Sequence, residues 1–232
     1  MSGKRKYELK QRAEQQAETR RRITEATVEL HRTVGPAATQ ISEIARRAGV
    51  QRVTVYSHFP DGADLFAACS AHWRTLHPAP DPGAWLALAN SGQRLRSGLC
   101  ELYSWYRETE PMLANVLRDV EIVPAMRPVV EQGLGEYLSV VRRILGDPIR
   151  VGSRGRRRAR IDSTLHAITD FHLWRSLAPL GDVDAADLAA GLVELAANVR
   201  PAPAGRTAAA VPAQPETPAP IVQVTPVPPI PQ

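Results

Sequence analysis

The sequence predicts an all-α chain, with an N-terminal helix-turn-helix head of three helices followed by a larger helical body. Three observations predict it. Apolar residues recur at three- and four-residue spacings, sustained two-residue alternation is missing, and the breaks between apolar runs fall at glycine and proline.

The elements follow in order. Residues 1–15 hold Lys4, Arg5, Lys6, Lys10 and Arg12 and read as a basic flexible arm. Ile23, Ala26, Thr27, Leu30 and Val34 lie on one helical face, and Gly35-Pro36 ends that helix. Ile41, Ile44 and Ala45 define a short second helix that stops at Gly49, and Val53, Val55 and Tyr56 belong to a third. Asp61 is placed to cap a fourth helix, with Asp64 in the role of the capping-box acid, and Leu65, Phe66, Cys69 and Trp73 continue it. Pro78, Pro80 and Pro82 then mark a boundary between a head, 16–77, and a body, 78–200. Body helices are expected near 83–107, 111–120, 124–146, 158–178 and 184–199, separated by breaks that include Pro111 and Gly146-Asp147-Pro148. Residues 201–232 carry ten of the chain's 20 prolines, which excludes helix and sheet interiors and predicts a disordered or polyproline-like tail.

Composition narrows the function. The chain has 232 residues and a net charge of +5, with basic clusters at Arg20-Arg21-Arg22 and between Arg150 and Arg160. Such clusters suit a polyanion, or are solvated surface; the second reads as a mobile solvated loop. Cys69 and Cys100 are the two cysteines and form no C-x-x-C, which argues against a disulfide scaffold or zinc site and fits a reducing cytoplasm. No apolar run reaches the ~18 residues of a membrane span, and no signal peptide is visible, so a cytoplasmic protein without a membrane partner is expected. The fingerprints of serine hydrolases, zinc proteases, P-loops and dinucleotide folds are missing, so no enzyme and no cofactor is expected. His166 and Asp170 stand four apart on one predicted helix but lack a third ligand, and no metal site is expected.

The informative stretch is "QISEIARRAGVQRVTVYSHFPDGADLF", residues 40–66. Two helices that cross closely need a small residue at the contact, a glycine at the tight turn, and apolar residues on both sides. Ala45, Gly49, and Ile44, Val50 and Val55 supply these. With Val50 and Val55 inward, Gln51, Arg52 and Thr54 face outward near the start of the third helix. These are side chains that reach base edges and phosphates. Tyr56 and His58 add polar tips for phosphate oxygens, and Thr39 stands where it can cap the second helix. The helix-turn-helix spans about 40–59.

The pieces "IARRAGV" (44–50), "TVYSHF" (54–59) and "DLF" (64–66) resemble the DNA-binding head of the tetracycline-repressor (TetR) family of bacterial regulators. The resemblance covers residues 16–77 in detail and the body only by length and helix pattern. It implies a homodimer on a double-stranded DNA operator, base contacts near Gln51 and Arg52, and phosphate contacts at Thr39, Thr54, Tyr56 and His58. One departure is that Asp61-Gly62-Ala63 replaces the family's frequent backbone-binding lysine; the triplet Arg20, Arg21 and Arg22 and the basic arm before it are expected to compensate.

The resemblance further implies that the body binds an unidentified small molecule and dimerises through its last two long helices. Expected pocket residues are Trp85, Tyr103, Trp105, Tyr106, Met112, Met126, His166, Phe171, His172 and Trp174. In the last helix, Ala185, Ala186, Ala189, Ala190, Gly191, Ala196 and Ala197 permit close approach and Leu188, Leu192 and Leu195 offer apolar area. The function expected is a ligand-responsive repressor on a palindromic operator. The alternative is a non-specific nucleic-acid binder, or a helical interaction protein without operator specificity.

Overall fold

Between Gly3 and Gly35 the chain contains no glycine or proline and is rich in Glu, Gln, Arg and Ala, all strong helix formers. The computed structural model, which describes residues 2–199 with side chains from Lys6 onward, folds this stretch as one helix, α1 (Ser2–Thr33). The arm expected to be flexible is thus the first turns of α1. The proline-rich tail, 201–232, lies outside the described residues.

After α1 come α2 (Ile41–Ala48), α3 (Arg52–His58) and α4 (Gly62–Leu76). Gly49 closes α2 in the left-handed region, φ +65°. Its N–H turns back to the Arg46 carbonyl, and the Val50 N–H bonds the Ala45 carbonyl at 2.9 Å, the paired bonds of a Schellman stop. Asp61 caps α4 as expected, its carboxylate accepting the Ala63 N–H at 2.7 Å. Ile23, Leu30, Ile44, Ala45, Val55, Phe59 and Leu65 converge in the head core.

A 3-10 turn (Pro82–Ala87) leads into α5 (Ser91–Asp119). The break expected at Pro111 does not occur, and α5 runs straight through it. Proline removes one helical hydrogen bond, but both halves of α5 are held by packing. Leu95, Leu99, Leu102, Tyr103 and Tyr106 lie in the body core, while Met112, just past the proline, belongs to the head core. Gly98 sits where α5 meets Leu145 and Trp85; a Cβ there would stand 2.7 Å from the Leu145 side chain.

The next segment opens with a 3-10 turn (Pro124–Met126) and α6 (Arg127–Val130). It passes through a π-helical turn (Glu131–Gly135) into α7 (Glu136–Arg150), which extends beyond the expected stop at Gly146. The helix expected at 158–178 is two helices, α8 (Gly155–Ile168) and α9 (Phe171–Leu177). The Tyr103 and Tyr106 hydroxyls donate to the carbonyls of Ile168 and Thr169, both at 2.7 Å, and Asp170 accepts the His172 and Leu173 N–H groups to start α9 afresh.

A 3-10 turn (Ala178–Leu180) precedes α10 (Asp182–Asn198), which packs on α5 and α8. The arginines expected in a mobile loop instead lie mostly in α8. Arg157 and Arg160 donate to the carbonyls of Ala197 and Ala196, closing the C-terminal end of α10. No strand occurs among the described residues, and residues 2–198 fall in one compact unit.

Candidate nucleic-acid interface and cavity

α3 buries one residue, Val55, and presents the rest. Gln51, Arg52, Val53, Tyr56 and Ser57 are exposed, whereas Thr54 and His58 are half-buried on the flanks. Of the four residues that the sequence places on one outward surface, Gln51, Arg52, Thr54 and Tyr56, three are exposed and Thr54 is half-buried. Val53, 67% exposed, is not singled out by the sequence reading; an apolar residue that no core claims is suited to a thymine methyl.

The other predicted contacts are placed differently. Thr39 does not cap α2: its hydroxyl donates to the Gly35 carbonyl at 2.7 Å, and the cap position is Gln40, without a side-chain bond. Arg20, though exposed, is engaged with the end of α3, donating to the His58 carbonyl at 2.6 Å and covering the Phe59 ring at 3.9 Å. Arg21 is paired with Glu18 and Glu25 along α1, both at 2.6 Å. Arg22 makes no ion pair among the described residues and lies beside the Gly49 turn.

Residues 23–69 match the family model for bacterial regulatory proteins of the tetR family. The chain carries a TetR-family head. The matched segment is accordingly a helix-turn-helix, DNA-binding head of the kind used in transcription regulation.

Among solved structures the chain is similar to the TetR family transcriptional regulator PfmR from Thermus thermophilus. The two share 20% identity over 75% of this chain and 96% of that one, with a TM-score of 0.51. RolR in complex with resorcinol is 19% identical, over 82% and 98% of the chains, at a TM-score of 0.48. A TetR regulator from Rhodococcus sp. RHA1 is 19% identical, over 78% and 97%, at 0.38. No curated protein matches the sequence.

Behind the TetR-type head, a cavity of about 340 Å³ opens between α4, α5 and the α6–α7 segment, within the usual ligand range of ~300–1,000 Å³. Three of the expected lining residues, Trp105, Met112 and Met126, line it. The others lie elsewhere. Trp85, Tyr103, Tyr106, Phe171 and Trp174 are packed in the body core, because the aromatic face of α5 turns toward α8 and α9. His166 and His172 are exposed, and Asp170 caps α9, so the pair considered for a metal sits on separate elements. No group of three metal-ligating side chains occurs among the described residues.

The cavity draws on residues that sequence reasoning assigns to the head. His31 of α1, Phe66, Trp73 and Arg74 of α4 all face it, along with Val116 and Tyr137. His31 is buried, stacks on Phe66 at 5.5 Å, and burial pushes its pKa down to about 4 against the pull of the Asp119 carboxylate. Asp119 in turn accepts the Ala37 N–H at 2.9 Å, and Asn115 donates to the carbonyls of His31 and Arg32. The end of α5 thus clasps the α1–α2 junction while its middle walls the cavity.

Proposed function

We propose that the chain is a ligand-responsive repressor that binds a palindromic operator as a homodimer in the bacterial cytoplasm. The observation that carries the reading is Met112, which lies in the head core and in the cavity wall at once. A molecule that fills the cavity presses on a residue that the head core uses, so bound and empty states differ in how they hold the head. A ligand with different affinities for those two states shifts their populations, and with them operator affinity.

In this reading Gln51 and Arg52 address base edges, with Val53 beside them. Tyr56, Arg22, Thr54 and His58 meet phosphates around the groove. Thr39 and Arg20 act indirectly, by fixing the α1–α2 turn and the end of α3. Leu188, Leu192 and Leu195 are exposed on α10, whose Ala185, Ala186, Ala189 and Ala190 are buried in their own subunit. That leucine face, next to α8, is the surface offered to a second copy.

A footprint of the protein on the upstream region of its own gene tests the proposal. Two protected patches centred about one helical turn apart, or a multiple of it, are expected, and they fade when a cavity ligand is added. Uniform, salt-sensitive coverage without discrete patches would leave a non-specific binder held by the basic first turns of α1.

A further inference from the structure

Building on the ligand-responsive reading, we propose that the effector is a small, largely apolar organic acid whose anionic group is held by Arg74. The polar groups of the cavity walls point to this. No aspartate or glutamate lines them, and Arg74 is the one cationic side chain that does. Arg74 makes no ion pair among the described residues; its guanidinium has a 3.4 Å contact with the Ser70 hydroxyl and rests against the π-helical turn at Gly133.

Two other donors of the lining are already committed. The Tyr137 hydroxyl donates to the Pro80 carbonyl at 3.1 Å and the Trp105 indole to the His77 carbonyl at 3.3 Å. The buried Trp73 indole N–H has no partner. His31 is neutral at pH 7 and adds no charge.

The polar groups left over are thus one cation, Arg74, and three neutral groups, the Trp73 N–H, the Ser70 hydroxyl and the His31 imidazole, set in walls of Met112, Val116, Met126 and aromatic rings. An organic cation would meet Arg74 and no carboxylate. A wholly apolar molecule would leave the guanidinium without use. A carboxylate on an apolar body matches both: Arg presents a planar fork to the two oxygens, and the body fills the space behind it. At about 340 Å³ the cavity favours a compact acid over a large one.

Calorimetric titration of the full chain without DNA tests this, with two acid–amide pairs as probes: 2-naphthoate against 2-naphthamide, and decanoate against decanamide. Wild type and Arg74→Gln are compared at pH 7.5, circular dichroism confirming that the exposed substitution leaves the fold intact. At least one acid is expected to bind at least tenfold more tightly than its amide. Arg74→Gln is expected to bring that acid down to its amide and leave the amide unchanged. Equal binding of acids and amides, no binding of any probe, or a preference that survives Arg74→Gln overturns the proposal. Operator recognition would stand after any of these results, because DNA is absent. Acid binding that leaves the footprint unaltered would instead overturn the ligand-response reading.

Discussion

The Arg20 guanidinium donates to the His58 carbonyl at 2.6 Å and covers the neighbouring Phe59 ring, so α1 holds the C-terminal end of α3, the helix proposed to meet DNA. A cation there meets carbonyls left without helical partners, and favourably with respect to the helix dipole. Arg20→Ala is expected to cost only about 1 kcal/mol of stability, since the contact is exposed. It should also lower affinity for all duplexes alike by releasing the end of α3. Urea denaturation and DNA titration on two unrelated sequences check both parts.

Gly49 adopts φ +65°, and its nearest neighbour to an added Cβ is Arg22 at 3.7 Å. Space is therefore available, and the cost of Gly49→Ala is backbone strain alone, about 1–2 kcal/mol. Chemical denaturation should show that loss. A stability equal to the wild type would mean that the α2–α3 turn relaxes away from this conformation.

His31 and Asp119 make stability depend on acid. His31 has a folded pKa near 4, below its unfolded value of 6.5, because burial disfavours the imidazolium. The unfolded chain therefore takes up a proton first, and stability is lost as pH falls from about 6.5 toward 4. At pH 5 this amounts to about 2 kcal/mol relative to pH 7.5. For Asp119, burial raises the pKa, but hydrogen bonds from Arg118 and the Ala37 N–H outweigh it and the net shift is downward. Its contribution is present above the ordinary carboxylate value and is lost at lower pH, through the folded pKa. His31→Phe keeps a ring against Phe66 and should flatten the pH 7.5-to-5 difference by about 2 kcal/mol in parallel denaturation curves. An unchanged slope would place the pH dependence elsewhere.

Leu188 and Leu192 are 48% and 41% exposed on α10, while Ala185, Ala186, Ala189 and Ala190 are covered by the chain itself. Replacing both leucines by glutamate should leave the monomer fold unaffected and disrupt the dimer. Sedimentation velocity is expected to show a wild-type dimer and a variant monomer, and a wild-type monomer at micromolar concentration would refute this use of the surface.

Local rules made the head legible. A small residue at Ala45, a glycine at 49 and a capping acid at 61 each act within a turn of their own position, and the structure uses Gly49 and Asp61 as the sequence suggests. The body was legible as helices but not as segments. Pro111 looks like a stop because its local effect is unfavourable; α5 continues because two cores grip it from either side, and no local pattern encodes that. Likewise the one local cue to a break near Thr169 is Asp170, a residue type that caps helix starts. The break follows from tyrosine hydroxyls in contacts that span 65 and 63 positions of the chain. The cavity was misplaced for the same reason. Aromatic residues of the body read as its natural walls, yet most are core. His31, Phe66, Trp73 and Arg74, on helices that the motif reserves for DNA, complete the true lining. Trp73 and Arg74, adjacent near the end of α4, were the available signal.

The central claim is that the exposed face of α3 reads sequence. It is tested most directly by titrating wild type and Arg52→Ala against a duplex from the gene's own upstream region and an unrelated duplex, at several salt concentrations. The account predicts tight wild-type binding to the first duplex, a loss of roughly 1–3 kcal/mol in the variant on that duplex alone, and little change on the second. Equal wild-type affinity for both duplexes, unaltered by the substitution and abolished by moderate salt, would contradict it.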